Sequence, residues 1–406
     1  MFKTIIFVAL LISFSAISQT NKKVCFIGNS YTYFNDLPGI LEDMAAADGN
    51  SLLTDQHTPG GSTLQMHSTN ATALNKIASE DWDYVVLQDQ SQRPSFPWTQ
   101  VTSDVFPYAA ILCDSIRSAN PCAVPLFYNT WGRRDGDAQW DSINTFDKMN
   151  ERLFNAYGYM ANEHSAKRSP VGIGFDHIHN DANPPVTHTE LYTSDGSHPS
   201  VYGSYLAACL FYELIFDQNS EGNPFMPSGI SNSQGFYLQT VAHHILTEVD
   251  SVVTDFTQPN PSFSYNVNAL EVSFINETER STNTFWDFGD GNTDNVENPI
   301  HQFTSTGVYD VTLTSDNYCI SEDTTVTITL SSASLDQNEI DQFTIYPNPS
   351  DGAFKIKYNG NEKTGLILNA YGKIIRRFEL SNPIFNLPSG LYYIQIGSRL
   401  EKVVIK

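Results

Sequence analysis

Between residues 21 and about 255 the chain carries four uninterrupted apolar runs of strand length: Val24-Cys25-Phe26-Ile27, Tyr84-Val85-Val86-Leu87, residues 124–128 and residues 171–175. A strand with no polar side must be covered on both faces, the condition found inside a parallel sheet. Segments of helical periodicity separate the runs, at residues 37–47, 105–116 and 146–160. The clearest closes the region, where Leu238, Val241, Ile245, Leu246, Val249 and Val252 recur every three or four residues. Strands alternating with helices predict a doubly wound α/β domain.

A chain of 406 residues is too long for that domain alone. Residues 257–262 form a polar, Pro-rich linker, after which the pattern becomes short alternating strands separated by turn residues. Residues 258–332 read as a small β-sandwich. They hold eleven acids and one base, Arg280, and so carry about 10 units of the formal charge of −23. A second linker, residues 331–342, leads into another all-β stretch, which is mildly basic. A chain this acidic repels phosphate backbones, so nucleic acid is not an expected partner. With only 17% charged residues and 12% aromatics it does not resemble a disordered polyanion.

Residues 1–20 read as a secretory signal: Lys3 at the start, an apolar run over residues 5–12, then small residues. The run is shorter than the ~20 residues that span a bilayer, so no transmembrane segment is expected after cleavage. Five cysteines without a C-x-x-C pair suggest neither a zinc site nor a dense disulfide framework. Cys113 and Cys122 are the candidate local bridge, and Cys25, Cys209 and Cys319 read as buried small hydrophobes.

The first apolar run ends in Gly28-Asn29-Ser30. At the carboxyl end of a parallel strand a Ser faces the ligand crevice, and its own N–H can point there too. Near the end of the same region lies Asp195-Gly196-Ser197-His198-Pro199-Ser200. An Asp three residues before a His can orient the ring, so that the other nitrogen acts as base toward a serine hydroxyl. Taken singly, each segment could equally be a capped turn; two at opposite ends of one α/β domain are less easily accidental.

With Gly60-Gly61-Ser62 following the second strand, these segments resemble the signature blocks of the SGNH (GDSL-like) hydrolases. The resemblance covers residues 21 to about 250. It implies a three-layer α/β/α domain with a flavodoxin-like parallel sheet, in which Ser30 is the nucleophile, His198 the base and then acid, and Asp195 its orienter. The N–H groups of Ser30 and Gly61 would hold the oxyanion, with Gly60 the less favoured register. The third block departs from the usual Gly-x-Asn: here Leu87-Gln88-Asp89-Gln90-Ser91-Gln92 stands, and Gln88, with Gln90 second, is the expected replacement for the Asn amide. Asn29 replaces a common Asp and leaves the nucleophile unchanged.

After the run at residues 124–128, Trp131 could stack on a sugar and Arg133 bind an anionic group, with Tyr31 and Trp98 as further aromatic candidates. The alternative is that Trp131 packs a loop and the arginines pair with Asp135 or Asp137. His177-Ile178-His179 and His243-His244 are not assigned to metal, and no cofactor is expected.

Phe285-Trp286-Asp287-Phe288-Gly289-Asp290-Gly291, Asn298-Pro299 and Tyr309-Asp310-Val311-Thr312-Leu313 resemble a PKD-type domain. Ile345-Tyr346-Pro347-Asn348-Pro349, Leu387-Pro388-Ser389-Gly390-Leu391-Tyr392-Tyr393 and Lys402-Val403-Val404-Ile405-Lys406 resemble the type A C-terminal sorting domain of the type IX secretion system of Bacteroidota. The implied organisation is a signal (1–20), a catalytic domain (21–255), a PKD-like sandwich (258–332) and a sorting domain (340–406), exported through the outer membrane or anchored at the surface. The expected activity is that of a serine esterase releasing O-acetyl groups from polysaccharide. The competing expectations are a non-catalytic glycan binder and an esterase or lipase for lipid esters.

Overall fold

The computed structural model describes residues 19–249, 256–331, 343–358, 363–369, 373–380, 384–397 and 399–406. The expected signal thus lies almost wholly outside the described residues, as do Val252 and most of the second linker. The N-terminal domain is built on five parallel strands: β1 (Asn21–Ile27), β2 (Ser51–His57), β3 (Tyr84–Leu87), β4 (Val124–Tyr128) and β5 (Lys167–Ser169). Their order in the sheet is β2-β1-β3-β4-β5. The chain moves outward in one direction from β1 to β2 and in the other from β3 onward, so a crevice opens at the carboxyl edge where the order reverses.

Among the described residues ten α-helices accompany the sheet: α1 (Ser30–Tyr33), α2 (Leu37–Ala47), α3 (Leu64–Ser68), α4 (Ala71–Ile77), α5 (Trp98–Asp104), α6 (Phe106–Ala119), α7 (Phe146–Glu163), α8 (Val171–Asn180), α9 (Val201–Phe216) and α10 (Asn232–His244). Successive strand residues point to opposite faces. Tyr128 meets Phe211 of α9 edge-on at 4.9 Å, whereas its neighbour Phe127 faces Tyr157 of α7 at 6.5 Å. Helices α9 and α7 therefore cover opposite faces, giving three layers. The central runs are buried as a two-sided sheet requires: Val24, Cys25, Ile27, Val85, Val86, Leu87, Leu126 and Phe127 have no exposed surface.

One expected strand is a helix. Residues 171–175 open α8, and the fifth strand is the preceding Lys167–Ser169. A short apolar run fits a buried strand or a buried helix equally well. Here Pro170 stands at the N-cap position of α8, and Gly172 lets the helix lie against the loop after β4: a Cβ there would come within 2.6 Å of the Thr130 carbonyl oxygen. The true strand hid behind its charges, because Arg168 is fully buried with its guanidinium 3.9 Å over the Phe154 ring.

Residues 263–330 form two facing antiparallel sheets of three and four strands around Phe263, Val272, Phe274, Trp286, Phe288 and Leu313. Trp286 is completely buried, as expected of a core strand. The described strands between residues 343 and 405 form a second pair of sheets, with Gly390–Ile396 paired to Arg399–Ile405. The expected Cys113–Cys122 bridge is absent. Cys113 is buried inside α6 as a free thiol, pushed up to about 12 by burial, and Cys122 pairs with Cys319 across a Cα separation of 5.2 Å. Cys319 belongs to the turn between the strands Gly307–Asn317 and Ile320–Leu330, so the bridge joins the α/β domain to the first sandwich. Beside it, Arg117 lies 3.9 Å over the Tyr318 ring.

Candidate active site

Strand β1 ends at Ile27, and Gly28 turns the chain into α1 with Ser30 as its first residue. Only a glycine fits: a Cβ at position 28 would meet Thr32 Oγ1 at 2.6 Å and Gln88 Oε1 at 2.7 Å. Asn29 caps α1 by accepting from the Tyr31 N–H, and its amide donates to the carbonyls of Ser62 (2.9 Å) and Asp89 (3.2 Å). One side chain thus ties together the loops after β1, β2 and β3. His67 supports the same turn through a 2.8 Å bond between Nε2 and the Gly28 carbonyl, and burial pushes its pKa down to about 4.

His198 Nε2 lies 2.9 Å from Ser30 Oγ, and His198 Nδ1 lies 2.6 Å from Asp195 Oδ2. The other carboxylate oxygen accepts from the N–H groups of Ser197 (2.8 Å) and His198 (2.9 Å) and from Thr193 Oγ1 (2.8 Å). Desolvation pushes the Asp195 carboxyl up, but the His198 ring and these donors outweigh it and hold it well below the usual carboxylate range. The His198 ring is packed on two sides, stacked on Phe34 at 4.3 Å and met edge-on by Tyr31 at 5.5 Å. Phe34 escaped the sequence reading, although four residues after Ser30 is the spacing that returns a side chain to the same face.

The remaining expected residues divide. The Ser30 and Gly61 N–H groups have no protein acceptor among the described residues, and Gly61 adopts the left-handed backbone (φ 73°) that glycine favours. Gln88 does not match its expected role. It is fully buried, its Oε1 accepts from the Asn29 N–H (2.9 Å) and Thr32 Oγ1 (3.1 Å), and its amide nitrogen donates to the Asp89 carbonyl. It stiffens the turn from beneath. Gln90 is half-exposed; its Oε1 accepts from the Gln92 N–H at 2.8 Å, and its Nε2 makes only two long contacts of 3.3 Å. Of the two glutamines it is the more exposed, and its amide N–H groups are held only by these long bonds.

Trp131 and Tyr31 are not substrate platforms. Trp131 is completely buried, stacked between Tyr31 (4.8 Å) and Phe175 (4.3 Å), with Nε1 donating to the Ser197 carbonyl at 3.1 Å. Tyr31 is 3% exposed and its hydroxyl lies 2.6 Å from Ser197 Oγ. Both clamp the loop that carries Asp195 and His198. Arg133 is not a free anion site either, since it pairs with Asp137 at 3.0 Å and donates to Ser91 Oγ at 3.3 Å. Arg134 pairs with Asp135 at 2.7 Å. Trp98 packs edge-on to Phe106 and Tyr159. His179 contacts His188 and His177 faces His244, and no group of three metal-ligating side chains occurs among the described residues. A cavity of about 840 Å³ lies between the modules, and none of Ser30, Asp195 and His198 lines it.

Three family models match the chain in sequence: a domain of unknown function (DUF4886) over residues 67–245, the PKD domain over 253–331 and the secretion system C-terminal sorting domain over 344–406. The last places the protein among type IX secretion cargo, routed to the cell surface or beyond it. No helix among the described residues is long and apolar enough to cross a membrane. No curated protein matches. Among solved structures, a DUF4886 family protein from Bacteroides uniformis is 22% identical, with a TM-score of 0.49 over 58% of this chain and 98% of that one. A protein from Slackia heliotrinireducens described as a candidate SGNH hydrolase is 29% identical, with a TM-score of 0.40 over 48% of this chain and 98% of that one. The PKD1 domain of Vibrio anguillarum Epp is 27% identical, with a TM-score of 0.18 over 19% of this chain and 96% of that one.

Proposed function

We propose that this exported chain is a serine esterase of the SGNH type, removing O-acetyl groups from polysaccharide outside the cell. The observation that carries the reading is the hydrogen-bonded series Asp195–His198–Ser30, at 2.6 and 2.9 Å, together with the Ser30 and Gly61 N–H groups, which have no protein acceptor among the described residues. Asp195 holds the proton on Nδ1, which leaves Nε2 to take the Ser30 proton as Oγ attacks the ester carbonyl. The N–H groups of Ser30 and Gly61 receive the oxyanion, with Gln90 Nε2 as third donor. His198 then gives its proton to the leaving alcohol, and the same ring activates water to release the acid and free Ser30.

Export supports an extracellular ester, and the sandwich beside the α/β domain suits a polymeric substrate held near the cell. The test is acetate release from a panel of acetylated polysaccharides, run beside a small aryl acetate and with Ser30→Ala as control. A serine-directed phosphonate should label Ser30. Glycan retention without labelling would replace this reading with a binding protein, and preference for long acyl esters would replace the substrate.

A further inference from the structure

Asp89 takes no part in the acyl transfer described above, yet its carboxylate is wholly buried one residue before Gln90. Its Oδ1 accepts two backbone N–H groups, from Gln90 at 2.6 Å and from Leu64 at 3.3 Å, while Oδ2 meets no donor among the described residues. Leu64 is the first residue of α3, which begins three positions after Gly61. The main chain of Asp89 adds two further ties: its carbonyl accepts from Asn29 Nδ2 at 3.2 Å, and its N–H donates to the Tyr157 hydroxyl on α7 at 3.1 Å. One residue is therefore bonded to the loops after β1, β2 and β3 and to a covering helix.

The arrangement is a burden on the fold. A buried carboxylate with one bare oxygen is costly to ionise, and desolvation pushes this carboxyl up to about 6. The groups facing it are the Tyr157 hydroxyl from α7, the His67 helix α3 through Leu64, and Arg93 from the turn Arg93–Ser95. The Arg93 guanidinium lowers the carboxyl's pKa without bonding to it, since its nitrogens donate to Gln65 Oε1 and the Asp104 carbonyl. A neutral residue would pack here at less expense. Side chains that oppose stability while bonded to site loops are explained by what they hold in place.

We infer that Asp89 is a positioning residue, an acceptor that sets the spacing between the Gly61 loop and Gln90 and so fixes two of the oxyanion donors relative to Ser30. The inference rests on the esterase reading. Misplacement of donors acts on the transition state more than on substrate binding, so the signature is a fall in kcat with KM nearly unchanged.

The test compares wild type with Asp89→Ala, Asp89→Asn and Leu64→Pro on an aryl acetate, each variant checked for folding by thermal melting. Asp89→Ala should lower kcat at least about tenfold with KM within about threefold, the scale expected when reacting groups shift by a fraction of an ångström. Asp89→Asn keeps a carbonyl acceptor for both N–H groups and should recover most of that rate. Leu64→Pro removes one of the two donors at a first-turn position where proline is tolerated, and should also lose kcat. A folded Asp89→Ala or Leu64→Pro enzyme with wild-type kcat, or an Asn variant as impaired as the Ala one, would overturn the inference. If wild type itself neither turns over nor labels at Ser30, the esterase reading has failed and the positioning role falls with it.

Discussion

The three residues that carry the proposed chemistry, Ser30, Asp195 and His198, were legible because each sits in a short segment whose local geometry is nearly self-contained. The Asp195 carboxylate is bonded to the N–H groups of residues 197 and 198, so the Asp-x-x-His turn builds itself. Ser30→Ala should lower the rate by at least about a thousandfold while leaving the melting temperature close to wild type, as loss of a triad member does elsewhere. Which way Trp131 and Tyr31 face is decided by packing from α8 and the loop at 193–198, and Gln88 is turned beneath the nucleophile turn by its bonds to Asn29 and Thr32; no local pattern encodes either. Asp89 adds a pH dependence whose sign can be worked out. Its native pKa of about 6 lies above the ordinary 3.8, so the folded state binds more protons than the unfolded one between those values. Stability from this group falls as pH rises from about 4 to 6 and stays lower above, by at most about 3 kcal/mol. Asp89→Asn should therefore raise the melting temperature at pH 7.5 and flatten its pH dependence over that window. A variant that melts lower at pH 7.5 would contradict this.

At the scale of elements, strands β1, β3 and β4 were readable because a two-sided buried strand leaves an uninterrupted apolar run, and β5 was not, because its Arg168 is sheltered by stacking on Phe154. The same physics makes the β1 exit intolerant of change. At Gly28 an added methyl has Thr32 Oγ1 and Gln88 Oε1 closer than contact distance on either side, and Gln88 cannot withdraw without abandoning the Asn29 N–H. Gly28→Ala should displace the first turn of α1 and cost about 1–3 kcal/mol, the range for overpacking a tight site. Denaturant melts measure the stability loss. A matching fall in phosphonate labelling would show that Ser30 has moved with the turn; a variant with normal stability and labelling would mean the turn has room that the contacts deny.

Across the whole molecule, the connection between modules was the least legible feature, because cysteines 197 positions apart give no signal in spacing. The bridge has company: Arg117 lies over Tyr318 and also donates to the carbonyls of His164 and Ser165, so the sandwich turn meets a surface already organised by α6 and α7. At the far end, Lys402 pairs with Glu163 at 2.7 Å, and Leu391, Tyr393 and Val404 of the sorting module pack into the α/β core. The sandwich is therefore held to the α/β domain and is not merely strung from a linker, and about 10 units of the −23 charge lie on this attached module. Peptide mapping without reduction should find Cys122 joined to Cys319, with Cys25, Cys113 and Cys209 blocked only after denaturation. Closing a loop of this length constrains the unfolded chain by roughly 5 kcal/mol on the entropic account, less any structure the unfolded chain retains. That constraint acts on modules with separate cores, so its removal should not fall evenly. Cys319→Ser should lower the melting transition of the sandwich and leave the Ser30–His198 contact, which lies at the opposite edge of the sheet from Cys122, able to support wild-type turnover. Equal loss of activity and stability would instead mean that the sandwich shapes the catalytic domain itself.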